Sequence, residues 1–529
     1  MKIASMSRVE ASRDPDKVHL PNILQVSRGA TYLVMQSIVT NVVTAASFVI
    51  VARLITPAEM GIWTVLTLAS GFCQTFATLA IPWAATKYVA EHMARGEKGV
   101  AAAAFYQAMK LTFPFGLAFG LVMFFGAHAL AVQLLGEPRH ALLFQVLAFD
   151  TLISSGLLPV LGSVLLGLQK FRGLAVVGVV MGSILRQLLI IGLLLLLRNF
   201  VGLVIAWTLS DVAAGSAYFL YAIRFLGPLR FDFPLRKLIG FSWPITLDQA
   251  ASFAQTWYDR ALLIAFVPLA TLGIYNAVIV AFSVLTSISG AMASTLFPAY
   301  SAVQTHDRNQ TLTDSVQRAS RYVSFVAIPL AIGLLATSTP ALSLLVGQAY
   351  VQGSEPLMIL SGIFAVTVFG TVALSPVLLA IEETRWASAI NIISVILSLG
   401  AALILLPIAG IIGASISRGV TMILVTAFTF LVVRKKMTLR LDLQAMVKSL
   451  IASAIMLAVV YTTQFLVYSK FLLPAYVLVG GVTYLAMLRL LRAARREDVD
   501  LVRRYFGHRL AFVPELMSKI LLPKEKTAT

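Results

Sequence analysis

Charged residues make up only 12% of the 529 positions, so those that interrupt the long apolar runs are the first candidates for chemistry. Asp150, Arg186 and Asp211 fall inside three successive apolar stretches. A later stretch carries Asp248 and then Trp257, Tyr258, Asp259 and Arg260, and another carries Arg418. Arg53 stands just before a Pro-containing turn, and Lys87 just beyond a Pro-Trp break. An ionisable group in hydrocarbon is expensive unless it is paired or faces a wet cavity. Two chemistries fit these residues. One is a set of buried ion pairs that hold helices together. The other is the wall of a polar cavity, in which the Trp257-Tyr258-Asp259-Arg260 run would stack on and hydrogen-bond a sugar. Acid–base catalysis needs groups gathered at an acceptor. Here the six histidines (His19, His92, His128, His140, His306, His508) are scattered without metal-ligand spacing, and Cys73 is the single cysteine. We therefore expect no enzyme activity, no metal and no cofactor.

The elements that must position these residues are membrane helices. The sequence is 59% hydrophobic, far above soluble norms, and a helical span takes roughly 20 apolar residues. Fourteen such stretches can be marked: 29–52, 61–79, 111–132, 142–168, 174–197, 201–223, 243–266, 274–297, 323–346, 357–381, 387–406, 411–433, 447–467 and 472–491. The expected fold is an all-α polytopic membrane protein with two six-helix lobes, 29–223 and 243–433. A cytoplasmic segment (1–28) precedes them, a cytoplasmic linker (224–242) joins them, and an added helix pair (434–491) and a basic cytoplasmic tail (492–529) follow. Glu91–Lys110 and Ser301–Arg321 are read as longer cytoplasmic connections. The polar N-terminus has no apolar signal core, so no cleaved signal peptide is expected.

Orientation follows from the cations. With the N-terminus inside, 34 of the 41 Lys and Arg lie on the cytoplasmic side, 5 outside and 2 (Arg186 and Arg418) within spans. That asymmetry predicts both termini in the cytoplasm of a cell (plasma or inner) membrane. It also accounts for the net charge of +18 without a nucleic-acid partner. In this frame Asp211 lies ten residues below the outer end of its span, about 15 Å at ~1.5 Å per residue. Asp150 and Arg186 fall at nearly the same depth, which predicts an ion cluster or the wall of a polar cavity.

Internal echoes divide the chain. R-L-I-T-P-A-E-M-G-I-W near Gly61 is answered by V-P-L-A-T-L-G-I-Y-N near Gly273, 212 positions on. Leu165-Leu166-Gly167 with Arg172 is answered by Leu378-Leu379-Ala380 with Arg385, at 213. Val201-Gly202-Leu203-Val204 is answered by Ala409-Gly410-Ile411-Ile412, at 208. Three echoes at nearly one period predict a duplicated unit, the arrangement common in transporters. Pro159 and Pro376 occupy matching spans, where a proline frees a backbone carbonyl and permits a kink. They are candidate hinges.

At A-R-L-I-T-P-A-E-M-G-I-W, A-T-K-Y-V-A-E and Y-D-R-A-L-L-I-A-F-V-P-L-A-T-L-G-I-Y-N-A, the chain resembles the Wzx-like polysaccharide-export flippases. These form a branch of the multidrug/oligosaccharidyl-lipid/polysaccharide transporter superfamily. The resemblance covers roughly 23–490. It implies two six-helix lobes around a central cavity, alternating access, and an oligosaccharide on a polyprenyl pyrophosphate as cargo for surface glycan assembly. It also implies a cationic cavity, for which Arg53, Lys87, Arg186, Arg260 and Arg418 are the available positions, with Asp150, Asp211 and Asp248 as a charge cluster or coupling set. Membrane lipids are implied partners, and the reading leaves room for a polymerase or glycosyltransferase. The alternative is a multidrug exporter of the same superfamily coupled to protons or sodium. The four acids favour it, and the arginines beside them argue for an anionic ligand instead.

Overall fold

The computed structural model describes residues 23–197, 199–226, 228, 230–302 and 308–493. The expected N-terminal segment up to residue 22, Arg198 and the tail from 494 lie outside the described residues. In hydrocarbon every backbone amide must find its partner within the protein, which a helix achieves alone. Accordingly the described residues contain helices and no strand.

The first helices are α1 (Ile23–Leu54), α2 (Pro57–Thr78), α3 (Ile81–Ala94), α4 (Lys98–Phe125), α5 (Ala127–Leu135) and α6 (Ala141–Gly156). Next come α7 (Leu158–Gly167), α8 (Phe171–Val179), α9 (Arg186–Leu197), α10 (Val201–Ala222), α11 (Leu235–Phe266) and α12 (Leu269–Ser301). The last are α13 (Arg308–Ala341), α14 (Ser354–Val368), α15 (Ser375–Ala380), α16 (Thr384–Lys436), α17 (Leu443–Leu466) and α18 (Leu473–Leu490).

Twelve described helices or helix pairs are long and apolar enough to cross a membrane. Two features separate this number from the fourteen expected. α16 runs 53 residues, about 80 Å at ~1.5 Å per residue, but Gly410 breaks it with φ 52° and ψ −124°, three residues after Pro407. α11 is 32 residues long, yet Arg236, Lys237, Asp248, Asp259 and Arg260 lower its hydropathy. Two expected connections are corrected. Glu91–Lys110 is mostly helix, because Ala101 to Phe105 are buried against α3 and α7. The linker is shorter than 224–242, because α11 starts at Leu235.

The chain forms two compact units, Met1–Phe48 with Ala69–Ala250, and Val49–Leu68 with Ala251–Thr529. The lobe limits expected at 223 and 243 are therefore not the unit limits, which fall inside α1, α2 and α11. In the first unit Ala84, Ala85, Ala104 and Ala108 pack with Val160, Val164 and Leu165. Their small side chains let α3, α4 and α7 approach closely, as membrane helices favour. In the second, Tyr300, Val316, Leu374 and Val377 form one core, and α17 and α18 build another on α13 through Met456, Val460 and Tyr484.

The echoes reappear in the backbone. α7 and α15 each end on a left-handed residue, Gln169 (φ 55°) and Glu382 (φ 63°). The next amides close the same pattern: Lys170 N donates to Leu165 O at 2.9 Å, and Glu383 N to Leu378 O at 2.8 Å. This is one C-terminal cap used twice, 213 positions apart. At the first echo the two copies touch each other within the second unit. A Cβ on Gly61 would lie 1.9 Å from Leu269 O, and one on Gly273 would lie 2.0 Å from Pro57 O. Each glycine faces the carbonyl four residues ahead of the other, so the contact is reciprocal, and no larger residue fits at either place.

Candidate functional site

α11 turns Asp259 and Arg260 toward α12, and Tyr258 and Asp259 toward α16. Asp259 is fully buried. Its Oδ2 accepts from Tyr275 OH at 2.7 Å and Arg418 Nε at 2.8 Å, and its Oδ1 from the Arg260 amide at 2.8 Å. Arg260 lies with its guanidinium 3.7 Å from the centre of the Trp257 ring. Its Nη1 reaches Asn276 Oδ1 at 3.4 Å, and its Nη2 donates to Thr256 O at 2.8 Å. Arg418 Nη2 donates to the same carbonyl at 2.9 Å. Two guanidinium groups thus share one carboxylate, and the cluster carries a net positive charge. Arg260 Nε, buried, has no hydrogen-bond partner among the described residues. Tyr258 stands apart, with its hydroxyl 3.4 Å from Ser417 Oγ and 3.3 Å from Thr421 Oγ1.

The first unit holds the opposite balance. Arg186, the first residue of α9, follows a π-helical turn at Val180–Leu185. It pairs with Asp211 of α10, and its Nε donates to Ser210 Oγ at 2.9 Å. Asp150 on α6 is fully buried beside Ser154 and the Asp211 carboxyl, and neither of its oxygens makes a well-formed hydrogen bond among the described residues. Two acids therefore face one base. The structure brings together the three residues whose depths coincide in the sequence.

The remaining candidates are dispersed. Arg53 donates to Leu344 O and, at 3.3 Å, to Leu345 O, so it caps carbonyls of the π-helical turn Leu342–Val346. Lys87 sits over the rings of Phe241 (4.3 Å) and Tyr88 (5.0 Å). Asp248 is exposed on α11 and joins no ion pair among the described residues, which corrects its grouping with Asp150 and Asp211. Pro159 and Pro376 each open a short helix just after an interruption, at Leu157 and at the π-helical stretch Phe369–Leu374. Among the described residues no three His, Cys, Asp or Glu side chains gather as metal ligands do.

Sequence reasoning passed over Tyr275, Asn276 and Ser210. The first two lie in the L-G-I-Y-N motif that marks the repeat, where a polar pair opening an apolar helix was the available signal. The local fold explains their placement. Thr56 and Glu59 form a reciprocal cap on α2, Thr56 N donating to Glu59 Oε2 at 2.7 Å and Glu59 N to Thr56 Oγ1 at 3.3 Å. That cap fixes Met60 and Gly61 against α12, and Asn276 Nδ2 reaches Met60 Sδ at 3.9 Å.

Known proteins share parts of this arrangement. The probable low-salt glycan biosynthesis flippase Agl15 of Haloferax volcanii is 24% identical over 186 residues, which are 35% of this chain and 39% of that protein. Among solved structures, a lipid II flippase, MurJ, in an inward closed conformation matches with TM-score 0.66 and 15% identity. It covers 91% of this chain and 100% of that one. A multidrug resistance MATE family transporter in an inward-facing conformation matches at 0.61 and 17% identity, over 75% and 94%. A transporter of the same superfamily from Pyrococcus furiosus, described for the reverse polarity of its binding pocket, matches at 0.53 and 17%, over 78% and 95%. These likenesses establish the fold. The model of a family described as polysaccharide biosynthesis protein matches residues 50–355, more than half of the sequence, and the chain belongs to that family.

Proposed function

We propose that this chain is a flippase for a polyprenyl-pyrophosphate-linked oligosaccharide, carrying it from the cytoplasmic to the outer leaflet by alternating access. The observation that carries the reading is the second unit's cluster, where Arg260 and Arg418 outnumber Asp259 and Arg260 lies on the Trp257 ring. Excess guanidinium suits pyrophosphate, and an aromatic face beside it suits a sugar. The family, the Agl15 relative and the fold shared with a lipid II flippase support it. In this reading α16 crosses twice through its Gly410 break and α11 crosses once, giving fourteen spans with both termini cytoplasmic. The repeat makes two six-helix halves. Pro159 and Pro376 are hinges, and a polymerase or glycosyltransferase works downstream. Cysteines at Arg95, Pro234 and Lys435 should then react with impermeant thiol reagents only after lysis.

The transport test is flipping of a fluorescent lipid-linked oligosaccharide in proteoliposomes. Arg260→Gln keeps much of the side chain's bulk while removing its charge. Charge-assisted phosphate contacts are worth about 1.5–3 kcal/mol, so flipping should weaken about ten- to a hundredfold. Flipping at the unmodified rate would sink the anionic-ligand reading. One observation favours a multidrug exporter: Asp150, a buried acid with no well-formed hydrogen bond among the described residues, is a natural seat for a proton or a cation. Uptake of a cationic dye against a pH gradient in the same vesicles, abolished by Asp150→Asn, would put that reading ahead.

A further inference from the structure

We infer that the first unit also binds the lipid carrier directly, one hydrocarbon chain in a pocket between α3, α4 and α11 and the phosphate at Lys87. The pocket has a volume of about 220 Å³ and is walled by Leu79, Ile81, Leu111, Phe115, Ile239 and Trp243. Its hydroxyls are already spent on backbone. Thr112 donates to Gly156 O at 2.8 Å, Ser242 to Leu238 O at 2.7 Å and Thr246 to Ser242 O at 3.0 Å. A cavity with its polar groups satisfied in this way offers a ligand only apolar contact. Phe115, Ile239 and Trp243 are 42%, 47% and 57% exposed, so the pocket has an open apolar mouth, which in this assignment meets lipid.

Its shape comes from a strained bend. Leu79 (φ 47°) and Ala80 (φ 51°) are successive left-handed residues without glycine, a conformation that persists only where surrounding structure imposes it. The bend separates α2 from α3 and turns Leu79 and Ile81 into the pocket wall. At the matching positions of the second copy, α12 runs through as one helix, so the bend belongs to the first unit alone.

The cation stands at the right distance. Lys87 lies six residues beyond Ile81 on α3, about 9 Å along the axis, and is held over Phe241, the neighbour of Ser242 and Trp243. The acids on the same segment are already engaged, Glu91 with Arg95 and Glu97 with His92. Arg236 and Lys237 are exposed at the start of α11, one turn before Ile239. On the proposed topology these cations face the cytoplasmic leaflet, where the cargo is loaded. A cavity of about 220 Å³ takes only the head-proximal stretch of one chain, the part next to the phosphate, and leaves the rest in the bilayer. The assignment rests on the flippase reading for the choice of lipid.

The test is binding to the purified full-length protein in detergent by native mass spectrometry, with undecaprenyl phosphate, undecaprenol and phosphatidylglycerol as probes. Undecaprenyl phosphate should bind best. Lys87→Gln should weaken it about tenfold or more, and Thr246→Trp, which fills the cavity, should weaken it comparably. If that variant loses its folded elution profile, Ser242→Leu takes its place. Unchanged binding in Lys87→Gln and in the filled pocket overturns the proposal. So does displacement by an equal concentration of phosphatidylglycerol, which would make the site a general phospholipid seat. Because binding is measured without transport, failed flipping with intact binding counts against the transport reading alone.

Discussion

In the first unit two carboxyl groups share one arginine; in the second two arginines share one carboxylate. The 208-residue echo pairs Arg418 with Ser210 of the first copy, the neighbour of Asp211. The sixth span of each copy therefore contributes the acid in one half and the base in the other. Their saturation differs as well. Asp259 accepts from Tyr275, Arg418 and the Arg260 amide, whereas Asp150 has only Ser154 and a second acid, Asp211, beside it and no well-formed hydrogen bond among the described residues. The two clusters thus differ in charge balance, with excess positive charge in the second unit and excess acid in the first.

That contrast is open to measurement by thermal unfolding of purified variants. Asp259→Ala leaves two buried guanidinium groups without their counter-ion. It should be the most damaging single change, at about 3–5 kcal/mol; a loss below about 1 kcal/mol would show that the second cluster is not held by its carboxylate. Arg186→Ala strands Asp211 but leaves more access to water, since the Arg186 side chain is 27% exposed. A loss of about 1–3 kcal/mol is expected, much of it recovered in the double variant with Asp211→Ala. If the single variant is stable and fails only in transport, Arg186 serves the cargo instead. Trp257→Ala removes the ring under Arg260 and should cost about 0.5–2 kcal/mol, with Arg418 unaffected. Asp150→Asn keeps the side chain's shape and removes a second acid from beside Asp211, so it should change stability least, by no more than about 1 kcal/mol. A destabilisation matching that of Asp259→Ala would erase the distinction between the clusters.

Much of this was legible in the sequence. Depth counting alone brought Asp150, Arg186 and Asp211 together, because a bilayer turns residue number into height. The repeat was readable because caps and close crossings need particular residues, glycine at 61 and 273 above all. What depth could not supply was direction around the helix axis. Arg53 turns to the carbonyls of Leu344 and Leu345 and Lys87 to two rings, while Asp248 is exposed away from Asp150 and Asp211. Hydropathy also misled at the N-terminal ends of α4 and α11, which start at Lys98 and Leu235. Alanine-rich and basic turns continue a helix past the apolar run when a neighbouring helix covers them.

The reciprocal crossing at Gly61 and Gly273 sets a timetable for biogenesis. The two glycines are 212 positions apart, so at about 5–20 residues per second the first waits roughly 10–40 s for the second to be made. During that interval the end of α1 and the start of α2 are in the bilayer without the surface they are shaped to meet. A nascent chain halted before residue 269 would expose that seam to quality-control proteases and to other nascent helices. Pulse-labelled chains arrested there should be degraded faster than chains arrested just beyond α12.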